Sequence, residues 1–368
     1  MVEADDRAFM TRALFLAERG RGRTTPNPIV GAVVVSPDGV VVGQGAHVAA
    51  GSPHAEVHAL DAAGARALGA TLYCTLEPCC HQGRTGPCVD RIRAAGIARV
   101  VVASRDPNPL VDGRGLQVLR AAGVAITEGV GAEAAHRQLA PFQTWVTKHR
   151  PLVTLKVAVS ADGFVGRAKG RVKLSRAEAD RWVHSQRAEV DAIAVGSETV
   201  RVDDPRLTPR GPYRFRPLTR VVFDWRLRTA PAARVFSTLA AGPVIMIVSR
   251  TSAKANQPTV AAFERLGVAV EAFAAHDLVS VLEALAAREV QSLVVEGGPA
   301  LHSAFEAAGL VDRVQRIVTP HVLGHGVAES PATSTAGIES PAARTRPLGD
   351  DVLMEWDVHR PDRGERAH

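Results

Sequence analysis

The stretch "ATLYCTLEPCCHQGRTGPC", Ala70 to Cys88, has to be read together with "SPHAEVHAL", Ser52 to Leu60. An apolar, strand-like run leads into a Pro-Cys pair, and a further Cys follows nine residues after Cys79. Upstream, His54 and Glu56 stand one residue apart. His54, Cys79 and Cys88 make a mixed nitrogen and sulfur donor set of the kind that suits Zn²⁺. Three protein ligands leave the fourth tetrahedral position for water, whereas a purely structural site closes it. Glu56 is placed to lie beside the metal without ligating it, where a carboxylate can pass protons. Pro78 suits a first helical position. That reading puts Cys79 at one helix N-terminus and Cys88 at the next, and both settings favour thiolates. The competing reading is a structural zinc with His81 as fourth ligand. Cys74 reads as a small core residue, and Cys80 and His58 as bystanders.

Working outward, "IVGAVVVS" and "VVVGQGA" flank "PDG" and predict a β-hairpin. Residues 4–19 predict an amphipathic helix that stops at Gly20. Helices are expected over about 54–64, from "CVDRIRAAG" and over about 131–146, and strands from "ATLYCTL" and "ARVVVAS". "TKHRP", 147–151, is a polar break ending in Pro. Beyond it, "LVTLKVAVS", "DAIAVGS", "TRVVFDW", "PVIMIVSR", "VAVEAF", "SLVVEGG" and "RVQRIVTP" predict strands. Helices are expected at about 176–188, 277–288 and 299–308. Helices alternating with short apolar strands predict two α/β domains, residues 1–147 and 151–360, with a polar tail over 361–368.

The 368 residues are 46% hydrophobic and 22% charged, an ordinary globular balance. No apolar run is long enough to span a bilayer, and the acidic, polar start is no secretory signal. These features predict a cytoplasmic enzyme with no membrane partner. Four clustered Cys are too few for a disulfide framework and favour metal chemistry. The net charge of +6 is not localised: residues 1–150 hold sixteen Lys and Arg against thirteen Asp and Glu. With no basic run interleaved with aromatics, a nucleic-acid partner is not expected, while anionic small substrates suit the surface.

His-x-Glu followed by Pro-Cys and a further Cys is the zinc-deaminase signature. Its usual Pro-Cys-x-x-Cys is opened here by a loop carrying His81 and Arg84. "TTPNPIVGAVVV", "GAHVAAGSPHAEVHAL", "YCTLEPCCHQGRTGPC" and "ASRDPNP" resemble the deaminase half of the bifunctional riboflavin-biosynthesis deaminase–reductases. "LKVAVSADG", "VGSETVRVDDPRLTPR" and "VVEGGPAL" are similar to the reductase half, so the resemblance covers nearly the whole chain. It implies a cytidine-deaminase-like α/β/α domain followed by a dihydrofolate-reductase-like α/β domain. It also implies Zn²⁺ and NADPH as cofactors and pyrimidine ribosyl phosphates as substrates. A homo-oligomer is expected as well.

By the family pattern, Glu56 is catalytic and His54, Cys79 and Cys88 hold zinc. Asn27, His47, Arg84, Asp106 and Asn108 line the deaminase pocket. Asn27 and Asn108 each sit in "PNP", where turn chemistry alone accounts for Asn and Pro. In the second half the resemblance implies substrate contacts from Lys156, Arg187, Asp203, Leu207, Arg210 and Glu296. Arg187 and Arg210 suit phosphate clamps. Cofactor contacts are implied for Ala158, Lys173, Thr199, Gly297 and Gly298. The "EGGP" turn lets backbone approach a phosphate at a helix N-terminus. Lys173 stands where the family usually has an aromatic, which leaves open a deaminase with an impaired reductase half. Two readings compete with the bifunctional enzyme: a deaminase acting on tRNA or another nucleic acid, and a zinc-stabilised binding protein without turnover.

Overall fold

The structure is a computed structural model and describes residues 4–82, 86–167, 170, 172–211, 216–334 and 343–358. The chain forms two compact units, Met1–Arg150 and Pro151–His368.

In the first unit the elements run α1 (Ala4–Ala17), β1 (Gly31–Val35), β2 (Val41–Ala46), α2 (Ala55–Ala63), β3 (Thr71–Cys74), α3 (Cys88–Ala94), β4 (Arg99–Val102), α4 (Arg114–Ala121), β5 (Ala125–Glu128) and α5 (Ala132–Lys148). The sheet order is β2-β1-β3-β4-β5. β1 pairs antiparallel with β2 and β3, while β3, β4 and β5 run parallel. β1 is "GAVVV" and every residue of it is buried. Branched side chains suit that central, two-sided position. The expected helix at Pro78 is absent: residues 77–80 are irregular, and Cys79 sits on no helix. Cys88 does open α3. α4 and β5 had no counterpart among the elements expected from sequence. Their segment, "RGLQVLRAAGVAITE", holds an apolar stripe and a Gly stop, but elements of 8 and 4 residues show too few repeats to stand out from a loop.

α2 lies directly on β2, and Gly45 permits it. A Cβ added at Gly45 would stand 2.4 Å from the Ala55 carbonyl oxygen and 2.7 Å from the Ala59 nitrogen. Ala55 follows His54 and precedes Glu56, so this close approach sets the depth of the metal-facing turn. Gly45→Ala is therefore expected to cost about 1–3 kcal/mol by overpacking. It should also weaken zinc retention, because α2 must lift. Calorimetry and zinc analysis on the purified variant check both; an unchanged melting temperature would contradict the contact.

In the second unit the elements are β6 (Leu152–Val159), β7 (Phe164–Gly166), α6 (Ala177–Glu189), β8 (Ala192–Gly196), α7 (Ser197–Asp203), β9 (Thr219–Phe223), β10 (Val244–Ser249), α8 (Arg250–Ala255), α9 (Gln257–Arg265), β11 (Ala269–Phe273), α10 (Leu278–Ala286), β12 (Ser292–Val295), α11 (Pro299–Ala307), β13 (Arg313–Val318), β14 (Val327–Ala328), β15 (Arg344–Leu348) and β16 (Asp351–Asp357). The main sheet order is β11-β10-β9-β8-β12-β6-β13-β16-β15. It is parallel from β11 to β13, and β16 and β15 complete it antiparallel. β8 and β12 are neighbours, yet the chain leaves them in opposite directions. β8 leads through α7 outward to β9, and β12 leads through α11 across β6 to β13. Such a reversal opens a crevice at the carboxyl ends of the two strands, where ligands of open parallel sheets bind.

Candidate active sites

In the first unit, His54 caps α2 in an extended conformation and Cys79 lies on the loop after β3. His54 Nδ1 lies 3.2 Å from Cys88 Sγ and 3.5 Å from Cys79 Sγ. All three donor atoms lie within 4.8 Å of one another. A tetrahedral zinc with ordinary bond lengths separates its nitrogen and sulfur ligands by about 3.6 Å. The donors present thus fit that metal in type and spacing. The Cys88 N–H donates to Cys79 Sγ at 3.3 Å, so Cys79 does meet a helix start, that of α3. The Cys88 thiol beside it, aided by His54, pulls the Cys79 thiol down to about 4, well below the usual thiol range. The same contact with Cys79 pushes Cys88 up. Removing one sulfur should remove most of the metal: Cys79→Ala and Cys88→Ala are each expected to lose zinc by elemental analysis. Full retention in both would overturn the ligand set.

Glu56, in the first turn of α2, is 3% exposed. Burial raises its carboxyl above the usual range, His54 opposes this, and Cys79 adds to it. His54, Cys79 and Glu56 face a cavity of about 280 Å³. Asn27, His47, Asp106 and Asn108 line the same cavity. His47 Nδ1 lies 3.2 Å from the Pro53 carbonyl oxygen, which can only accept, so Nδ1 carries the proton. Burial lowers the basicity of His47, and its neutral Nε2 accepts from the Asn27 amide at 3.1 Å. Asp106 is raised to about 6, chiefly by burial. Its carboxylate accepts the Asn108 N–H, and Asn108 in turn accepts the Leu110 N–H, so Asn108 performs turn chemistry as well as lining the cavity. Arg84 lies outside the described residues.

Pro26, Val30, Leu76, Glu77, His81 and Phe142 also line the cavity. Sequence reasoning placed only His81 near the site, as the fourth ligand of a structural zinc, and among the described residues the donor cluster does not include it. Glu77 matters most for shape. It is 3% exposed, and its two oxygens accept the N–H groups of Asp106, Gly113 and Leu116 at 3.3, 2.9 and 3.3 Å. One carboxylate thus ties the Cys79 loop to the Asp106 turn and the start of α4. Cys74 is fully buried in the core, and Cys80 Sγ reaches the Leu110 carbonyl oxygen.

In the second unit, Glu296, Gly297 and Gly298 follow β12 at the sheet reversal. The Glu296 N–H donates to the Ala194 carbonyl oxygen of β8 at 2.8 Å. Gly298 caps α11, and open space lies where its Cβ would be. Backbone can therefore approach an anion there, a fit for the phosphates of a dinucleotide. His302, which sequence reasoning missed, anchors this turn. Burial lowers it to about 4, and its Nε2–H donates to the Val295 carbonyl oxygen at 3.1 Å. Thr199 lies on α7 at the same reversal.

Arg187 does not stand free. Its guanidinium forks onto Glu296 at 3.1 and 2.6 Å, with the two side chains 15% and 11% exposed. Burial alone would raise Glu296, but Arg187 and then Lys156 outweigh it and hold the carboxyl at about 2. Lys156, on β6, is lowered by its own burial and by Arg187 against the pull of Glu296. Leu207 is 3% exposed and packs in the core at a φ of 56°. Asp203 ends α7 and is half-buried. Ala158 pairs with Ile317 across β6 and β13 and packs against the cluster that Ile317 shares with Ala179 and Val183. Lys173 is 67% exposed and pairs with Asp180 at 2.6 Å.

Comparison with known proteins accounts for both sites. Residues 3–104 match the cytidine and deoxycytidylate deaminase zinc-binding region, and residues 151–353 match the RibD C-terminal domain. The chain is 39% identical to the riboflavin biosynthesis protein RibD of Aquifex aeolicus, covering 96% of this chain and 99% of that protein. It is 39% identical to RibD of Escherichia coli over 87% of this chain and 89% of that one. Acinetobacter baumannii RibD superposes with a TM-score of 0.81 at 33% identity, over 96% and 99% of the two chains. A Thermotoga maritima diaminohydroxyphosphoribosylaminopyrimidine deaminase/5-amino-6-(5-phosphoribosylamino)uracil reductase does so at 0.81 and 32%, over 95% and 98%. The folds are accordingly cytidine-deaminase-like and dihydrofolate-reductase-like, and the cofactors are zinc and NADPH. The chain belongs to the RibD family of bifunctional deaminase–reductases of riboflavin biosynthesis.

Proposed function

We propose that the two units act in turn on one substrate. The first converts 2,5-diamino-6-(5-phosphoribosylamino)pyrimidin-4-one and water to the uracil and ammonia. The second reduces the ribosyl chain to ribityl. The observation that carries the reading is a buried carboxylate, Glu56, in one cavity with His54 and Cys79, which with Cys88 form a donor set of zinc spacing. Zinc bound there supplies Lewis-acid activation of water near neutral pH. Glu56 takes the proton that water releases and delivers it to the leaving amine. Its burial, which raises its affinity for protons, suits both halves of that exchange. His47, by accepting from the Asn27 amide nitrogen, turns the Asn27 oxygen toward a donor on the pyrimidine. Asp106 and Asn108 close the same wall, and Arg84 is assigned to the substrate phosphate.

In the second unit Lys156, Arg187, Asp203, Leu207, Arg210 and Glu296 are assigned to the substrate side. Ala158, Lys173, Thr199, Gly297 and Gly298 are assigned to the cofactor side. NADPH supplies the reducing equivalents. Glu296, held ionised by Arg187 and Lys156, offers a fixed acceptor for a sugar hydroxyl, and the core packing of Leu207 leaves its backbone to face the ligand. The domain boundary at residues 147–151, a cytoplasmic location and self-association belong to the same reading. Among the described residues no helix is long and apolar enough to cross a membrane. Exposed Phe15 and Leu68 supply apolar surface for another copy, which sedimentation would test.

The deciding experiment incubates the diaminopyrimidinone ribosyl phosphate with the full chain and reads products by mass. Without NADPH the amine should be replaced by a carbonyl oxygen. With NADPH two further hydrogens should appear. No deamination by the zinc-loaded protein would overturn the reading.

A further inference from the structure

One face of α6 carries Asp180, His184 and Arg187. Two of these are already satisfied. Asp180 takes Lys173 and the Ser175 hydroxyl, each at 2.6 Å, and Arg187 takes Glu296. His184 is different, because both of its ring nitrogens face donors of one residue. The Arg210 backbone N–H approaches Nδ1 at 3.2 Å, and the Arg210 guanidinium Nε stands 3.0 Å from Nε2.

A neutral imidazole has a single acceptor nitrogen, so both contacts cannot be hydrogen bonds. A charged one has none. Burial lowers the basicity of His184, and Arg187 and Arg210 lower it further, which favours the neutral ring. The backbone N–H of Arg210 is held by the chain, whereas its guanidinium can swing. Nδ1 therefore accepts from the backbone, and Nε2 bears the proton. That leaves the Nε2–H and the guanidinium Nε–H directed at the same small volume, with no acceptor between them among the described residues. Two convergent donors, one of them charged, are the arrangement that an anionic oxygen completes.

The charge around the pair agrees. His184 senses Arg187 and Arg210 against Asp180 and Glu296. Lys156 and Lys173 stand beside those same two carboxylates. Four cations face two carboxylates, an excess that matches a phosphate monoester of about −1.5 to −2 near pH 7 better than a carboxylate. Arg187, committed to Glu296, cannot supply the fork.

We propose that His184 Nε2–H and the Arg210 guanidinium together hold the phosphate monoester of the reductase substrate, with His184 as a specificity-determining residue of that half. The proposal rests on the reductase reading above. Gln reproduces the required pair of functions. Its amide oxygen accepts the Arg210 backbone N–H while its NH₂ donates to the phosphate. Leu reproduces neither.

The test uses the full-length, zinc-loaded protein in the NADPH-dependent reaction, with ribose 5-phosphate as the probe inhibitor. In His184→Leu the KM for the pyrimidine ribosyl phosphate and the Ki of ribose 5-phosphate should both rise about tenfold or more, as loss of a hydrogen bond to a charged group implies. kcat should stay within about threefold and the KM for NADPH should not move. His184→Gln should recover most of the loss. The proposal is overturned by an unchanged Ki in His184→Leu, or by a Gln variant as impaired as Leu, which would mean ring packing alone. It is equally overturned by a rise confined to the KM for NADPH, which would assign the donors to a cofactor phosphate. Wild-type turnover with NADPH separately tests the reading on which the proposal rests.

Discussion

Glu56→Gln is expected to slow deamination by about 10²–10⁴-fold, the usual contribution of a positioned acid–base group, while zinc stays in place. Gln preserves the size of the side chain and its position in the first turn of α2, but it cannot carry the proton. The metal set does not include Glu56, since the three clustered donors are His54, Cys79 and Cys88. Ammonia release measured beside zinc content on the same preparation separates the two roles. A variant that keeps zinc and turns over within about threefold of wild type would refute proton transfer by Glu56. A variant that loses zinc would make Glu56 a ligand or a support of the ligands. NADPH-dependent reduction of the deaminated substrate serves as the internal control, because Glu56 and the Arg187 cluster lie in different compact units.

Arg187→Met is expected to destabilise the second unit by about 3–5 kcal/mol, because it strands the buried Glu296 carboxylate. Two charges at 15% and 11% exposure are costly to desolvate, and each is tolerated only while the other is present. The double variant Arg187→Met, Glu296→Leu should recover much of that loss in stability, although not the reductase activity. The pH dependence gives an independent check. Glu296 is held at about 2, below its ordinary 4.5, so its contribution is complete above pH 4.5 and is lost as pH falls toward 2. Wild type should therefore lose stability to urea between pH 5 and pH 3 more steeply than the double variant. Equal slopes, or a single variant as stable as wild type, would show that the pair is exposed to solvent.

Much of the first unit is legible along the chain. The β1–β2 hairpin announces itself by valine runs around "PDG". The first helix of that unit announces itself by apolar spacing and the Gly stop at Gly20. The metal set follows from donor chemistry at Pro-Cys and His-x-Glu, because zinc demands particular atoms whatever surrounds them. Other features are not legible. Pro78 suggests a helix that does not form: the Glu77 carboxylate instead accepts the N–H groups of Asp106, Gly113 and Leu116, tying down an irregular loop. α4 and β5 escape because they are short, and short amphipathic segments resemble loops until a partner strand is known.

The sequence by itself determined the two α/β halves, the His54, Cys79 and Cys88 donor set, the Glu56 carboxylate beside it and the glycine turn after β12. These rest on local covalent chemistry and on periodicity, which a single chain displays. Tertiary structure alone decided which charged groups are already spoken for. Arg187 and Arg210 look alike in sequence, yet one is locked to a Glu 109 residues away and the other meets His184. The strand order that makes β8 and β12 neighbours brings Glu296 to Ala194, and its reversal there opens a crevice. Pairings over such distances depend on strand order and burial, and neither is written in the spacing of residues along the chain.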